Sequence, residues 1–549
     1  MVKLNWLGKE QRTFLERGYL KEGVTPEERY QTIANTIEKI SGIKGIRERF
    51  EKYIEKGWVS FATPILSNFG EPDNLPISCN HGKISDSLDS ILSGLHEVGM
   101  LAKYGAGTAK NFSAIRPLGE KIGTGGVSEG IIPWIDLYAN MIGKVNQSST
   151  RRGFLTAYLT AAHSEIDSFL DIATEGHAIQ DITTAVTIPA GWMQDMEGGN
   201  SEKRKIWAKI LKRRSEIGFP YILFEENCNK NHPQVYADKG LWIDNANICI
   251  EAIEYCDSEK EFACCLSSVN AYYFDEWKED PNFIFDMNIM LDCVITEYIE
   301  KGSKLKGLEK AVKFAQEHRS IGVGILGFHS YLQKNMLAFG SLESYAKNHQ
   351  MFSYIRQESD RASKWMAENW GEPEMMKGYG LRNSSRMAQA PTKSTSFIVG
   401  NFSSGVEPIK SNYHEKTLAK IQVEYKNREL ENLLESKSQN TKEVWRSILQ
   451  NNGSVQHLGC LSSHEKDVFK TFAEVSQMDV IKLAAARQVY IDMGQSINIM
   501  IHPNTPPKEV NNLVMTAYKE GVKSLYYHYS INAAQEYNQS LMECSACEA

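Results

Sequence analysis

SIGVGILGF (Ser320–Phe328) is an apolar run closed by Gly327, too short for an ordinary helix and patterned as a buried strand. Four more short runs have similar Gly, Pro or Asn borders: ISCN (Ile77–Asn80), GFPYILF (Gly218–Phe224), NANICIEAI (Asn245–Ile253) and QSINIMI (Gln495–Ile501). Amphipathic helical stretches lie between them, so residues 61–530 read as one α/β body. Ahead of it, residues 1–60 read as a helical region. There Thr25, Pro26, Glu27 and Glu28 supply a cap, a first-turn proline and an acidic first turn before a periodic stretch to Tyr53. Tyr413–Glu474 reads as a charged helical insertion with a solvated face, where Glu424, Lys426, Arg428, Glu429, Glu431 and Glu435 crowd together. Residues 531–549, INAAQEYNQSLMECSACEA, have no apolar period and are expected to form a flexible tail.

Composition narrows the function. With 549 residues, 42% of them hydrophobic, the chain can bury a large core. A net charge of −7 lacks the basic footprint of a nucleic-acid binder. A mean hydropathy of −0.39, and no apolar run near the roughly 20 residues of a spanning helix, argue against a membrane protein. The opening MVKLNWLGKEQRTF is broken by Lys9, Glu10 and Arg12, so no secretory signal is expected and the expected location is cytoplasmic. Ten cysteines are too few for a disulfide scaffold, which makes their positions informative.

Several positions carry chemistry. On a strand, Asn247, Cys249 and Glu251 share one face, bringing an amide, a thiol and a carboxylate together; a buried thiol at a sheet edge is the plainer alternative. Cys79 and the adjacent Cys264 and Cys265 read, one by one, as core thiols. Cys544 and Cys547 have the spacing of a redox dithiol or of half a zinc site. No second CxxC completes such a site, so no metal is assigned, and a tethered dithiol suits exchange with a buried disulfide. Tyr526 and Tyr527 are packing aromatics, or a phenol pair able to pass an electron and a proton. Pro391–Ser396 offers hydroxyls and backbone N–H groups for a phosphate, or a simple helix cap. Gly119, Gly123, Gly125 and Gly126 with Arg116, and then Arg151-Arg152-Gly153, match neither a dinucleotide fingerprint nor a P-loop.

Taken in order, ATPILSN (62–68), PISCN (76–80), DSLDSI (86–91), RPLG (116–119), NICIE (247–251), LRNSS (381–385), GVEP (405–408) and AYKEGVKSLYY (517–527) resemble the large (α) subunit of ribonucleotide reductase over about residues 50–549. The resemblance implies a ten-stranded α/β barrel of two antiparallel halves, each of five parallel strands, with a finger loop carrying the central cysteine. It implies that Cys249 becomes a thiyl radical that takes the 3′ hydrogen of a ribonucleotide. Glu251 is then the base on the 3′-OH, Asn247 a hydrogen-bond partner of the ribose, and Cys79 with Cys264 the two-electron donor at C2′. Cys264 is preferred to Cys265 because its spacing to Asn270 is similar to the family pattern and because Cys265 on a strand faces the other way. Thr63, Ser78, Ser394 and Thr395 are expected to bind substrate, with Lys393 standing where many relatives have an acidic or small residue.

The Tyr526–Tyr527 pair resembles the dyad of class I members, which implies a separate metal-containing β subunit and no cofactor bound in this chain. The tail pair Cys544 and Cys547 implies thioredoxin or glutaredoxin as reductant. Asp86, Ser87 and Arg116 match positions that bind a deoxynucleoside triphosphate or ATP effector near a homodimer interface, and Arg151 and Arg152 fall in the loop that reports effector identity to the substrate base. The 60 residues ahead of Phe61 leave no room for the family's N-terminal ATP-binding regulatory domain, and none is expected. Two alternatives stay open. One is a cobalamin-dependent member, because Gly453–Met500 also looks like parts of that class; the other is a non-catalytic nucleotide-binding homologue, against which the retained cysteines and tyrosines count.

Overall fold

Two sets of parallel strands meet at two antiparallel seams, and that arrangement closes a barrel. The computed structural model describes residues 2–77, 79–123, 125–147, 151–418 and 421–530, with backbone alone at 146–147, 151–152, 415–418 and 421–424. A short strand, β1 (Val59–Phe61), precedes the barrel. The first half is β2 (Cys79–Lys83), β3 (Gly107–Asn111), β4 (Phe154–Thr160), β5 (Thr183–Ile188) and β6 (Tyr221–Phe224), all mutually parallel and paired in that order. The second half starts with β7 (Phe262–Asn270) beside the parallel β8 (Ile321–Leu326). It continues through parallel bridges Val323↔Met387 and Gln389↔Gln495 to β9 (Ile499–Ile501) and the parallel β11 (His528–Ser530). The seams are β2 against β7 and β6 against β10 (Ser524–Leu525), both antiparallel. Ten strand positions in two five-stranded halves result, as the sequence resemblance implies.

The sequence builds this locally. Strands β5 and β6 are buried along their whole length, the signature of parallel strands covered on both faces. Asp292, on the helix Phe283–Gly302, accepts from Arg319 (2.9 Å) and Arg382 (3.0 Å), tying that helix to the start of β8 and to the chain entering the Met387 strand. Removing one partner of so buried a network costs about 3–5 kcal/mol. Asp492 accepts from the backbone of Arg386 (2.7 Å) and holds the next strand beside it.

At the N-terminus the predicted cap is present: Thr25 and Glu28 form a capping box at the head of the helix Pro26–Ser41, worth about 1 kcal/mol. From that helix the buried Arg29 donates to the carbonyls of Ile65 (3.1 Å) and Leu66 (2.6 Å), fixing the short helix that begins at Thr63. The expected periodic stretch is two helices, broken at Gly42, whose positive φ of 67° ends the first.

Two expectations are corrected. NICIE is not a strand: residues 247–251 form a turn on a loop inside the barrel. The insertion opens with a hairpin, Tyr413–Leu418 paired with Ile421–Lys426, and its helices then bury a small core of Leu430, Leu434, Trp445, Ile448 and Phe469. Arg428 and Glu435 are solvated as expected, but the opposite face of their helix is apolar and packed. The tail, with Cys544 and Cys547, lies outside the described residues, as does Ser78.

Candidate active site

The loop bearing Cys249 is held from both barrel halves. Tyr158 on β4 donates to the Asn247 carbonyl (2.8 Å), Ser524 on β10 to the Ile250 carbonyl (3.0 Å), and the Gly494 N–H to the Glu251 carbonyl (2.7 Å). Two glycines make room for it: a Cβ on Gly107 would meet Ile248 at 2.4 Å, and one on Gly494 would meet Ile253 at 2.3 Å. Ile250 sits at φ 61°, costly for a β-branched side chain by about 1–3 kcal/mol. The bond from Ser524 helps hold that conformation, which turns the chain sharply between Cys249 and Glu251.

Asn247 closes the turn. Its Oδ1 accepts from the N–H groups of Glu251 and Ala252, both at 3.1 Å, and its Nδ2 donates to Glu251 Oε1 at 3.0 Å. Expected at the ribose, the Asn247 amide is turned into the loop and is fully buried; what it meets is Glu251. Ser496 sits between the Cys249 carbonyl (2.6 Å) and Glu251 Oε2 (2.9 Å). Burial pushes the Glu251 carboxyl up to about 7, opposed by hydrogen bonds from Asn247 and Ser496. A base poised there exchanges protons near neutral pH. Sequence reading passed over Ser496 inside an apolar run, where a lone serine gives no signal.

One cavity gathers Cys79, Cys249, Glu251, Thr63, Ser394 and Thr395, with Lys393 on its wall. Cys79 and Cys264 are direct cross-strand partners in the β2–β7 seam. Opposite residues of an antiparallel pair have Cα atoms about 4.5–5.5 Å apart, inside the about 4.4–6.8 Å that a disulfide spans. Cys265 faces away, its thiol donating to the Leu291 carbonyl (3.2 Å) in the outer core. Burial pushes the Cys264 thiol well up, so it rests protonated. Of the two partners, Cys79 lies on the cavity and Cys264 is fully buried.

A file of aromatic rings leads away from Cys249. Tyr526 donates its hydroxyl to the Cys249 sulfur at 3.6 Å, and its ring centroid is 4.4 Å from that of Tyr527. Tyr221 on β6 packs against both, at 4.6 and 5.1 Å. Asp86, Ser87 and Arg116 form a separate surface cluster. Arg116 Nε donates to Asp86 at 2.8 Å, and Ser87 caps the helix Leu88–Lys103. Arg151 and Arg152 lie on a two-residue strand paired with Asn146–Gln147; their side chains are outside the described set. Among the described residues no group of His, Cys, Asp and Glu is arranged to hold a metal ion, and no helix is long and apolar enough to cross a membrane.

Comparison with known proteins agrees with this geometry. A family model described as "Ribonucleotide reductase, barrel domain" matches residues 77–203, 200–374 and 369–528. The ribonucleoside-diphosphate reductase large subunit of Invertebrate iridescent virus 3 is 30% identical, over 94% of this chain and 92% of its own length. A protein named as a putative large subunit of the same enzyme, from Frog virus 3, is also 30% identical, over 94% and 95%. Among solved structures, the Actinobacillus ureae class Id ribonucleotide reductase alpha subunit superposes with a TM-score of 0.92 at 44% identity, covering 97% of this chain and 99% of that one.

Proposed function

The chain belongs to the ribonucleotide reductase family, and from that premise we propose that it is the catalytic subunit that reduces ribonucleoside diphosphates to deoxyribonucleoside diphosphates, using a radical supplied by a separate metal-containing β subunit. The observation that carries the radical route is the contact between the Tyr526 hydroxyl and the Cys249 sulfur, with the Tyr527 ring packed at a tilt behind that of Tyr526. The class I name of the similar solved structure supports the β partner.

Each residue has a role in this reading. The Cys249 thiyl takes the 3′ hydrogen, forming S–H and breaking C3′–H. Glu251 accepts the 3′-OH proton, and Asn247 and Ser496 hold its carboxyl in place. The C2′–O bond then breaks and the hydroxyl leaves as water with a proton from the Cys79–Cys264 thiol pair. That pair also supplies the two electrons and the hydrogen that C2′ gains, its two S–H bonds giving way to a disulfide, for which the cross-strand register is suited. Cys249 finally returns its hydrogen to C3′. Thr63, Ser394 and Thr395 offer hydroxyls to the substrate, Ser78 is assigned to the same role, and the Lys393 ammonium suits a phosphate.

Regulation and recycling complete the proposal. Asp86, Ser87 and Arg116 bind a nucleoside triphosphate effector, and Arg151 and Arg152 relay its identity to the substrate. Leu88 and Leu92 on one helix and Leu137 on its neighbour are exposed beside that cluster, which suits a homodimer contact. The tail dithiol Cys544–Cys547 reduces the Cys79–Cys264 disulfide by attack at the cavity-facing Cys79, and thioredoxin or glutaredoxin renews the tail. The protein works in the cytoplasm.

Two experiments test this reading. Tyr527→Phe, assayed with the β subunit and substrate, is expected to lose turnover because phenylalanine has no phenolic hydrogen to give; undiminished turnover would overturn the route and favour a radical made in place by cobalamin. Replacing Cys544 and Cys547 together with serine is expected to allow about one turnover with thioredoxin and a restored rate with dithiothreitol, which is small enough to enter the cavity. Full thioredoxin-driven activity in that variant would remove the relay.

A further inference from the structure

Tyr529 continues the file of rings beyond the dyad. Residues i and i+2 of an extended chain share a face, so Tyr527 and Tyr529 project together where the chain enters β11. Their rings are near parallel, at 23°, with centroids 5.9 Å apart. Among the described residues the aromatic neighbours of Tyr527 are Tyr221, Tyr526 and Tyr529. Tyr526 leads inward to Cys249, and Tyr221 is sealed in the barrel wall with no exposed surface. Tyr529 is the most exposed of the four, at 8% against 2% or less. It also lines a second cavity with Tyr526, Tyr527, Lys410 and His414.

We propose that Tyr529 is a third phenol of the radical route, the outermost one in this chain, standing between the β subunit's oxidant and Tyr527. The proposal rests on the β-partnered reading above. The partner's oxidant, a phenoxyl or an equivalent one-electron centre, takes a hydrogen atom from the Tyr529 hydroxyl; the Tyr529 O–H breaks and the partner's O–H forms. Tyr529 oxyl takes a hydrogen atom from Tyr527, Tyr527 from Tyr526, and Tyr526 from the Cys249 thiol. Each step moves one proton with one electron, and the sequence reverses when Cys249 recovers its hydrogen. Lys410 favours this coupling: its Nζ lies 3.7 Å from the Tyr529 ring centroid. A fixed positive charge on the ring face makes a ring cation costly, so the electron leaves only with its proton.

The test is to place 3-aminotyrosine, a more easily oxidised phenol that traps a passing radical, at position 529 and separately at 527. Each variant is mixed with the β subunit, substrate and effector and examined by electron paramagnetic resonance. An aminotyrosyl radical at both positions is expected, together with a loss of turnover of about 100-fold or more in Tyr529→Phe at unchanged substrate and effector binding. A radical trapped at 527 and none at 529, or near-normal turnover in Tyr529→Phe, would overturn the third phenol and leave the dyad standing. No radical at either position would overturn the β-partnered reading, and this proposal with it.

Discussion

Cys249→Ser is expected to form no deoxynucleotide at all while binding effector within a few fold of the parent. Serine fills nearly the same space, and the turn that presents it is held by Asn247, Ser496 and Ser524 through backbone groups that the substitution leaves in place. What is lost is the hydrogen: an alcohol O–H holds it too tightly for the neighbouring Tyr526 oxyl to take. Deoxynucleotide formation measured by chromatography, beside effector binding measured by calorimetry, separates the two effects. Product above background from this variant would remove Cys249 from the chemistry.

Glu251→Gln is expected to lower turnover by about 100-fold or more, because an amide of the same shape cannot accept the 3′-OH proton. The sign of the pH dependence follows from the burial that lifts this carboxyl to about 7. The base works when ionised, so activity should rise with pH through about 7 and fall below it. The Ser496 hydrogen bond stabilises the carboxylate. Ser496→Ala should therefore raise the Glu251 pKa further and move the acidic limb of the kcat/KM profile to higher pH. A limb at the ordinary glutamate value, or one unmoved in Ser496→Ala, would contradict the assignment.

Much of the barrel was legible because buried parallel strands are written as short apolar runs. SIGVGILGF, GFPYILF and QSINIMI fall on β8, β6 and the chain around β9. NICIE misled for a physical reason. A loop tip enclosed by a barrel alternates polar and apolar residues as a half-buried strand does, and the positive φ of Ile250 that breaks the alternation has no glycine to announce it. The choice of Cys264 over Cys265 used strand alternation, and on β7 the two thiols do face opposite ways. Ser496 was invisible because its partners, Cys249 and Glu251, come from a chain segment about 245 residues away. Tyr529, by contrast, stands two residues beyond the dyad, where strand alternation puts it on the face of Tyr527, and one more aromatic near a chain end reads as packing. The hairpin before Arg428 was hidden by its charges, which read as helix surface.

The most direct measurement is reduction of a ribonucleoside diphosphate by the purified chain with dithiothreitol, in the presence and absence of the β subunit. The account predicts deoxynucleotide only when both subunits are present. Deoxynucleotide from this chain without the β subunit, on addition of adenosylcobalamin, would contradict it.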